Sequence, residues 1–211
     1  SITYNSKGQV SRLIDGEGDF SYAYISSNQT RKTDNSTGGS WIITYDSNEV
    51  VTAKQDPLGY TETKLFDSDY NLTSQTDRNG NTTTYTYDDR GNIVSKTDAL
   101  GNKWIYSYVP GTNWLETETD PLSVVTKYEY DESGNRIALI RDYNGPTESR
   151  WTYTYNAQGR RTSQTDPRGY TTAFIYDDRG NLIQLTDPLG ARTGIAYDHR
   201  GNVVSQTDPN G

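Results

Sequence analysis

A period of 21 residues runs through the whole chain, and it limits the fold more than any other feature. The cleanest copies lie from Tyr176 onward, where Y-D-x-x-G-N-x-x-x-x-T-D-P-x-G is followed by six further residues. The aromatic residue that opens the unit recurs at Tyr4, Tyr24, Tyr45, Phe66, Tyr87, Tyr108, Tyr130, Tyr155, Tyr176 and Tyr197. Ten units fill residues 1–211 with no linker and no shift in composition, which predicts one repeat array. A fixed period means stacked units of local structure that cannot bury an apolar side alone.

Each unit carries two turn signals about ten residues apart. In Asp-Pro-x-Gly, as at Asp187 to Gly190, Asp accepts a backbone N–H, Pro presets φ, and Gly suits the fourth corner of a type I turn. In Asp-x-x-Gly-Asn, as at Asp88 to Asn92, Gly and Asn suit a left-handed exit. The runs between turns are about six residues long, the length of a strand and too short for a helix. The unit is therefore a pair of short antiparallel strands, and the chain an all-β array of tandem hairpins. The strand before Asp-x-x-Gly-Asn alternates: Thr83, Tyr85 and Tyr87 share one face, as do Trp41, Ile43 and Tyr45, or Trp151, Tyr153 and Tyr155. Stacking such units predicts aromatic ladders. On the other strand, Leu72, Ser74 and Thr76, and likewise Ile93, Ser95 and Thr97, are expected on one face. About twenty strands at about 4.8 Å make a ribbon on the order of 95 Å long, which strand twist would coil into a solenoid or shell.

Hydrophobic residues make only 31% of the chain, which by composition alone points toward disorder. The 18 Tyr, 4 Trp and many Thr decide otherwise, since they suit a half-buried pleated sheet. The core should be a thin layer. A net charge of −8 with no basic stripe argues against a nucleic-acid surface. There is no Cys for disulfides or thiolate metal sites, and no apolar run long enough to cross a membrane as a helix. With no Met and no signal-like start at Ser1, the chain is expected to be a piece of something longer.

The units wear unevenly. Tyr24 to Asn28 loses the Asp and Gly of its turn, and residues 33–40 loosen the next one. Ser123 stands where Gly is expected, Tyr108 to Thr112 replaces the Asp turn, and residues 143–150 carry an insertion. The repeat positions expected to carry the architecture are Tyr87, Asp88, Gly91 and Asp98; Tyr130, Asp131 and Gly134; Tyr176, Asp177, Gly180, Asp187 and Gly190; and Tyr197, Asp198 and Gly201.

These residues also carry a resemblance. YDDRGN at Tyr87–Asn92 and Tyr176–Asn181, YDESGN at Tyr130–Asn135 and YDHRGN at Tyr197–Asn202 resemble the YD repeats of Rhs proteins. WapA-type wall proteins, the C component of Tc toxin complexes and teneurins share these repeats. The resemblance covers all ten units. It implies a secreted or surface protein, bacterial in most such cases, whose β-ribbon spirals into a shell that encloses a toxin domain. No cleavage segment or toxin tail of that family is visible here, so self-cleavage and toxicity attach to no residue of this chain.

Chemistry is sparse. The Asp residues of the two turns could in principle collect Ca²⁺ in stacked rows, but capping of each turn accounts for them with the Pro and Gly beside them. There is one His, His199, in a variable turn position, and no serine has a nucleophile-elbow context. No catalytic residue, metal ligand or cofactor is expected, and the chain is read as a non-enzyme. Trp41, Trp104 and Trp151 fall on the alternating face, whereas Trp114 lies in an irregular unit and is the candidate for stacking on a glycan. Two functions stay open: a structural segment whose partners are the rest of its own chain or further copies, with an enclosed toxin, or an adhesin-like module that binds carbohydrate.

Overall fold

The computed structural model describes residues 1–208. Among them there are twenty strands, numbered in chain order from β1 (Ile2–Tyr4) to β20 (Val203–Thr207), and no helix. The turn signal that begins at Asp208 runs into residues outside those described. The chain divides into two compact units, residues 1–103 and residues 104 onward. The first holds β1 to β10 (Ile93–Thr97); the second begins with β11 (Lys103–Tyr108), which opens on the boundary residue, and runs to β20. Inside each unit, strands consecutive in sequence pair antiparallel, so each is a plain meander.

One loop makes most of the connections. In Asp88 to Asn92, the Asp88 N–H donates to the Asn92 carbonyl at 2.9 Å and the Gly91 N–H to the Asp88 carbonyl at 3.0 Å. Asp88 Oδ1 accepts the N–H groups of Arg90 and Asn92. Asp187 to Ala191 repeats every one of these bonds with Pro in second place. The two sequence signals thus form the same loop, a type I turn closed by a residue with positive φ. Fourteen such loops occur among the described residues. Ser123 takes this conformation too, with φ at 66°, where other copies use glycine.

The two signals differ in the strand pairing they lead into. Strands joined by Asp-Pro-x-Gly stay in register, as do β18 (Leu182–Thr186) and β19 (Arg192–Tyr197); so do β8 (Leu72–Thr76) and β9 (Thr82–Tyr87), where Arg78 takes the place of Pro. Strands joined by Asp-x-x-Gly-Asn carry a bulge: Ile93 pairs with Tyr87 but Ser95 with Thr86, leaving Val94 as the extra residue. The same shift separates Leu72, opposite Phe66, from Ser74, opposite Leu65. A bulge of this kind moves all later residues to the other face. The expected grouping of Leu72 with Ser74 and Thr76, and of Ile93 with Ser95 and Thr97, is therefore overturned. The aliphatic residue joins the tyrosine face, and the hydroxyl residues pair with threonines on the other.

The result within each unit is a two-faced sheet. On one face hydroxyls pair across strands, Thr76 with Thr82 at 2.9 Å, Thr86 with Ser95 at 2.7 Å and Thr165 with Thr171 at 2.8 Å. On the other, aromatic residues sit on alternate strands, about 9.6 Å apart. Continuous aromatic ladders do not form, because the intervening strand places Lys96 opposite Tyr85, Gln164 opposite Tyr153 and Leu185 opposite Phe174. Burial is slight: among the described residues only Thr30, Ala138, Ile140 and Tyr153 are buried.

Candidate functional site

The features that repeat most regularly lie along the edge formed by the Asp-x-x-Gly-Asn loops. β8 and β9 pair over Ser74–Thr76 and Thr82–Thr84, then diverge toward Tyr87. The Tyr87 hydroxyl crosses that gap and donates to the Leu72 carbonyl at 2.8 Å. Tyr130 reaches Leu115 at 2.9 Å and Tyr197 reaches Leu182 at 3.1 Å in the same way, each 15 residues back. Tyr155 reaches Arg136 at 2.9 Å, 19 residues back, the difference being the insertion in that repeat. The opening tyrosine therefore ties its own hairpin to the one before it. Tyr45 and Tyr176 make no such bond, and Phe66 has no hydroxyl to make it. That nine of the ten opening residues are Tyr rather than Phe was the sequence signal for this tie, since a buried phenol seeks a partner.

The aspartates work within their own loops. Besides two backbone N–H groups at Oδ1, the second oxygen of Asp88, Asp98, Asp131, Asp177 and Asp198 accepts the side-chain amide of the Asn four residues on, at 2.8 to 3.0 Å. That amide, more than any other contact, holds these carboxyls below the usual range for Asp; backbone N–H donors add to it. Asp187 makes the backbone bonds with Ala191 in the Asn position. No group of three His, Cys, Asp or Glu side chains is placed to hold a metal ion among the described residues.

Glycines do more than permit the turn. Gly91, Gly134, Gly180, Gly190 and Gly201 all hold φ between 80° and 94°. At Gly134 and Gly180 the space above the Cα is also taken by the residue that ends the preceding repeat's loop. A Cβ on Gly134 would lie 2.6 Å from the Trp114 ring, and one on Gly180 would run into the Arg160 guanidinium. Trp114 thus packs over Gly134 and against Tyr130, with ring centroids 5.5 Å apart. All four tryptophans are half-buried. Arginines fill the spaces between aromatic rings elsewhere on the tyrosine face: Arg136 lies over both Tyr128 and Tyr153, and Arg161 lies 4.3 Å from the Tyr153 ring centre. His199 is exposed, and its carbonyl accepts Arg179.

Tandem antiparallel hairpins, tied to one another by a tyrosine hydroxyl and by the cover each loop gives the next glycine, define a β-repeat protein built by stacking. The model of the RHS Repeat family matches residues 66–103, 87–122, 139–172 and 176–211. The chain belongs to the Rhs-repeat family. Its fold is also that of part of a crystal structure of TcdB2-TccC3-Cdc42, at 19% identity and a TM-score of 0.67 over 92% of this chain. A Photorhabdus luminescens Tc holotoxin pore matches at 17% identity and a TM-score of 0.63 over 95% of the chain. This chain spans only 13% and 14% of those two chains. No curated protein matches it.

Proposed function

We propose that this chain is a non-enzymatic stretch of wall in a longer, secreted or surface-exposed bacterial Rhs-repeat protein, and that the wall encloses another domain, of toxin class. The observation that carries the reading is the tie between successive hairpins. Tyrosine hydroxyls and two loop glycines join one repeat to the next, while the aspartates are engaged within their own loops. The fold shared with part of the Tc structures supports the enclosing role, as does a sheet with almost no core of its own. Half-burial of the four tryptophans favours this reading over an adhesin that stacks sugars on Trp114.

Limited proteolysis of the parent protein, isolated intact from its source, tests enclosure. A domain that survives protease while the repeats are intact, and is digested once they are unfolded in urea, is the expected result. A domain digested at the same rate in both states would overturn it.

A further inference from the structure

Along the loop edge of the first unit, one connection is short. The turn from β3 (Gly18–Ser26) to β4 (Gln29–Asp34) has only two residues, with Ser26 paired directly to Gln29. The loops on either side, Asn5–Gln9 and Asp46–Val50, have full length. A cavity of about 620 Å³ is lined by all three connections, within the size range of small-ligand sites. Its walls include Tyr24 and Thr30 of the short hairpin, Lys7 from the loop before, and Tyr45, Asp46 and Glu49 from the hairpin after.

The tyrosines and carboxylates on these walls are released from the work they do in other repeats. β4 and β5 (Ser40–Tyr45) stay paired to their ends, and the Tyr45 N–H donates to the Asn28 carbonyl at 2.8 Å. There is no gap for Tyr45 to bridge, and its hydroxyl has no partner among the described residues. Tyr24, from the short hairpin, is 41% exposed. Val50 stands in the Asn position, so Asp46 Oδ1 takes its two backbone N–H groups while no side-chain amide of a described residue reaches Oδ2. Glu49 stands where most copies have glycine and keeps φ at 63°, so the turn itself gives no reason for a carboxylate there.

We propose that this cavity binds an organic cation, an alkylammonium group carried by a polyamine or by a lysine side chain. Aromatic rings attract ammonium groups, and carboxylates form charge-assisted hydrogen bonds with them. The sheet seats its own ammonium groups in this way elsewhere: Lys32 Nζ lies 3.7 Å from the Phe20 ring centre, and Lys127 Nζ lies 4.6 Å from that of Tyr143. Asp46 and Glu49 against Lys7 leave the walls net negative, so a polyanion would meet like charge. An apolar ligand would leave both carboxylates and the Tyr45 hydroxyl unpaired. A Ca²⁺ ion takes about six to eight oxygens, more than two carboxylates supply. Lys7 extends from an exposed loop and competes with an incoming ammonium for the same carboxylates. The site is independent of whether the wall encloses anything.

Calorimetric titration of the chain with spermidine and with N-acetyl-trilysine amide tests this. The salt is held at about 0.15 M, where charges more than about 8 Å away are largely screened and the net charge of −8 contributes little. At least one of the two is expected to bind with micromolar to millimolar Kd, while the peptide with acetylated side chains should not bind. Glu49→Gly and Asp46→Asn should each weaken binding about tenfold, and Lys7→Gln should tighten it. Both carboxylate variants keep the loop, because glycine fits the φ at position 49 and Asn5 accepts the same two N–H groups in the loop before. Asp178→Asn removes an exposed carboxylate from the second unit and, as the charge-matched control, should leave Kd unchanged. Tighter binding of spermidine would identify a free polyamine as the ligand, and tighter binding of the peptide a protein segment. Binding of neither, equal binding of the acetylated peptide, binding unchanged in Glu49→Gly and Asp46→Asn, or an equal loss in Asp178→Asn would each overturn the proposal.

Discussion

Tyr87 illustrates how a single side chain does two jobs in this molecule. Its ring half-covers one face of the sheet, and its hydroxyl holds the diverging end of β8. Tyr87→Phe keeps the ring and deletes the bond, so it should lower stability by about 0.5–1.5 kcal/mol, as read from urea midpoints. Phe66→Tyr is the reverse experiment and should raise the midpoint. Glycines separate two causes that the sequence alone merges. Gly101→Ala places a Cβ in open space at a φ of 84°, and should cost only the left-handed strain of about 1–2 kcal/mol. Gly134→Ala incurs the same strain and must also displace the Trp114 ring, so its melting temperature should fall further. Ser123→Gly should gain about 1 kcal/mol by removing that strain from a loop whose hydrogen bonds are already complete.

At the scale of the hairpin, the loop carboxylates make the fold sensitive to acid. Their pKa values are lowered in the folded state, chiefly by the Asn side chains and backbone N–H groups they accept. Groups of this kind contribute stability that is present above the unfolded-state value of about 3.9 and is lost as pH falls through the folded-state values below it. Asp19, a strand residue gripped by the Arg12 guanidinium and the Asn35 amide, is also held down, to about 2. Melting temperature should therefore change little from neutral pH to about 5 and fall steeply below about 4. Asp131→Asn should be mild and Asp131→Ala severe, because an amide oxygen can take both loop N–H groups, as Asn156 already does. The hairpins themselves were legible in the sequence, since Asp, Gly and an alternating strand leave few other foldings. The faces were legible only in part. Nothing at Leu72 or Ile93 announces a bulge, which depends on how the loop hands the chain back to its partner strand. The short loop at Ser26–Gln29 was visible as a worn repeat, but not the direct pairing of Ser26 with Gln29 that replaces the usual loop.

On the scale of the whole chain, stability should come mostly from contacts between neighbours, because only four described residues are buried. Repeat proteins of this kind behave as chains of coupled units. The period and the resemblance to YD repeats were legible from end to end, while the means of coupling were not. The hydroxyl tie and the covered glycine join residues about one repeat apart, and a period records that spacing without saying which atoms meet.

If this chain is one stretch of a wall, cryo-electron microscopy of the intact parent protein addresses the point most directly. Discrete hollow particles are predicted, with the density of these repeats forming part of the enclosing sheet and a separate domain inside it. Solid particles, or open filaments in which the repeats surround nothing, would contradict it.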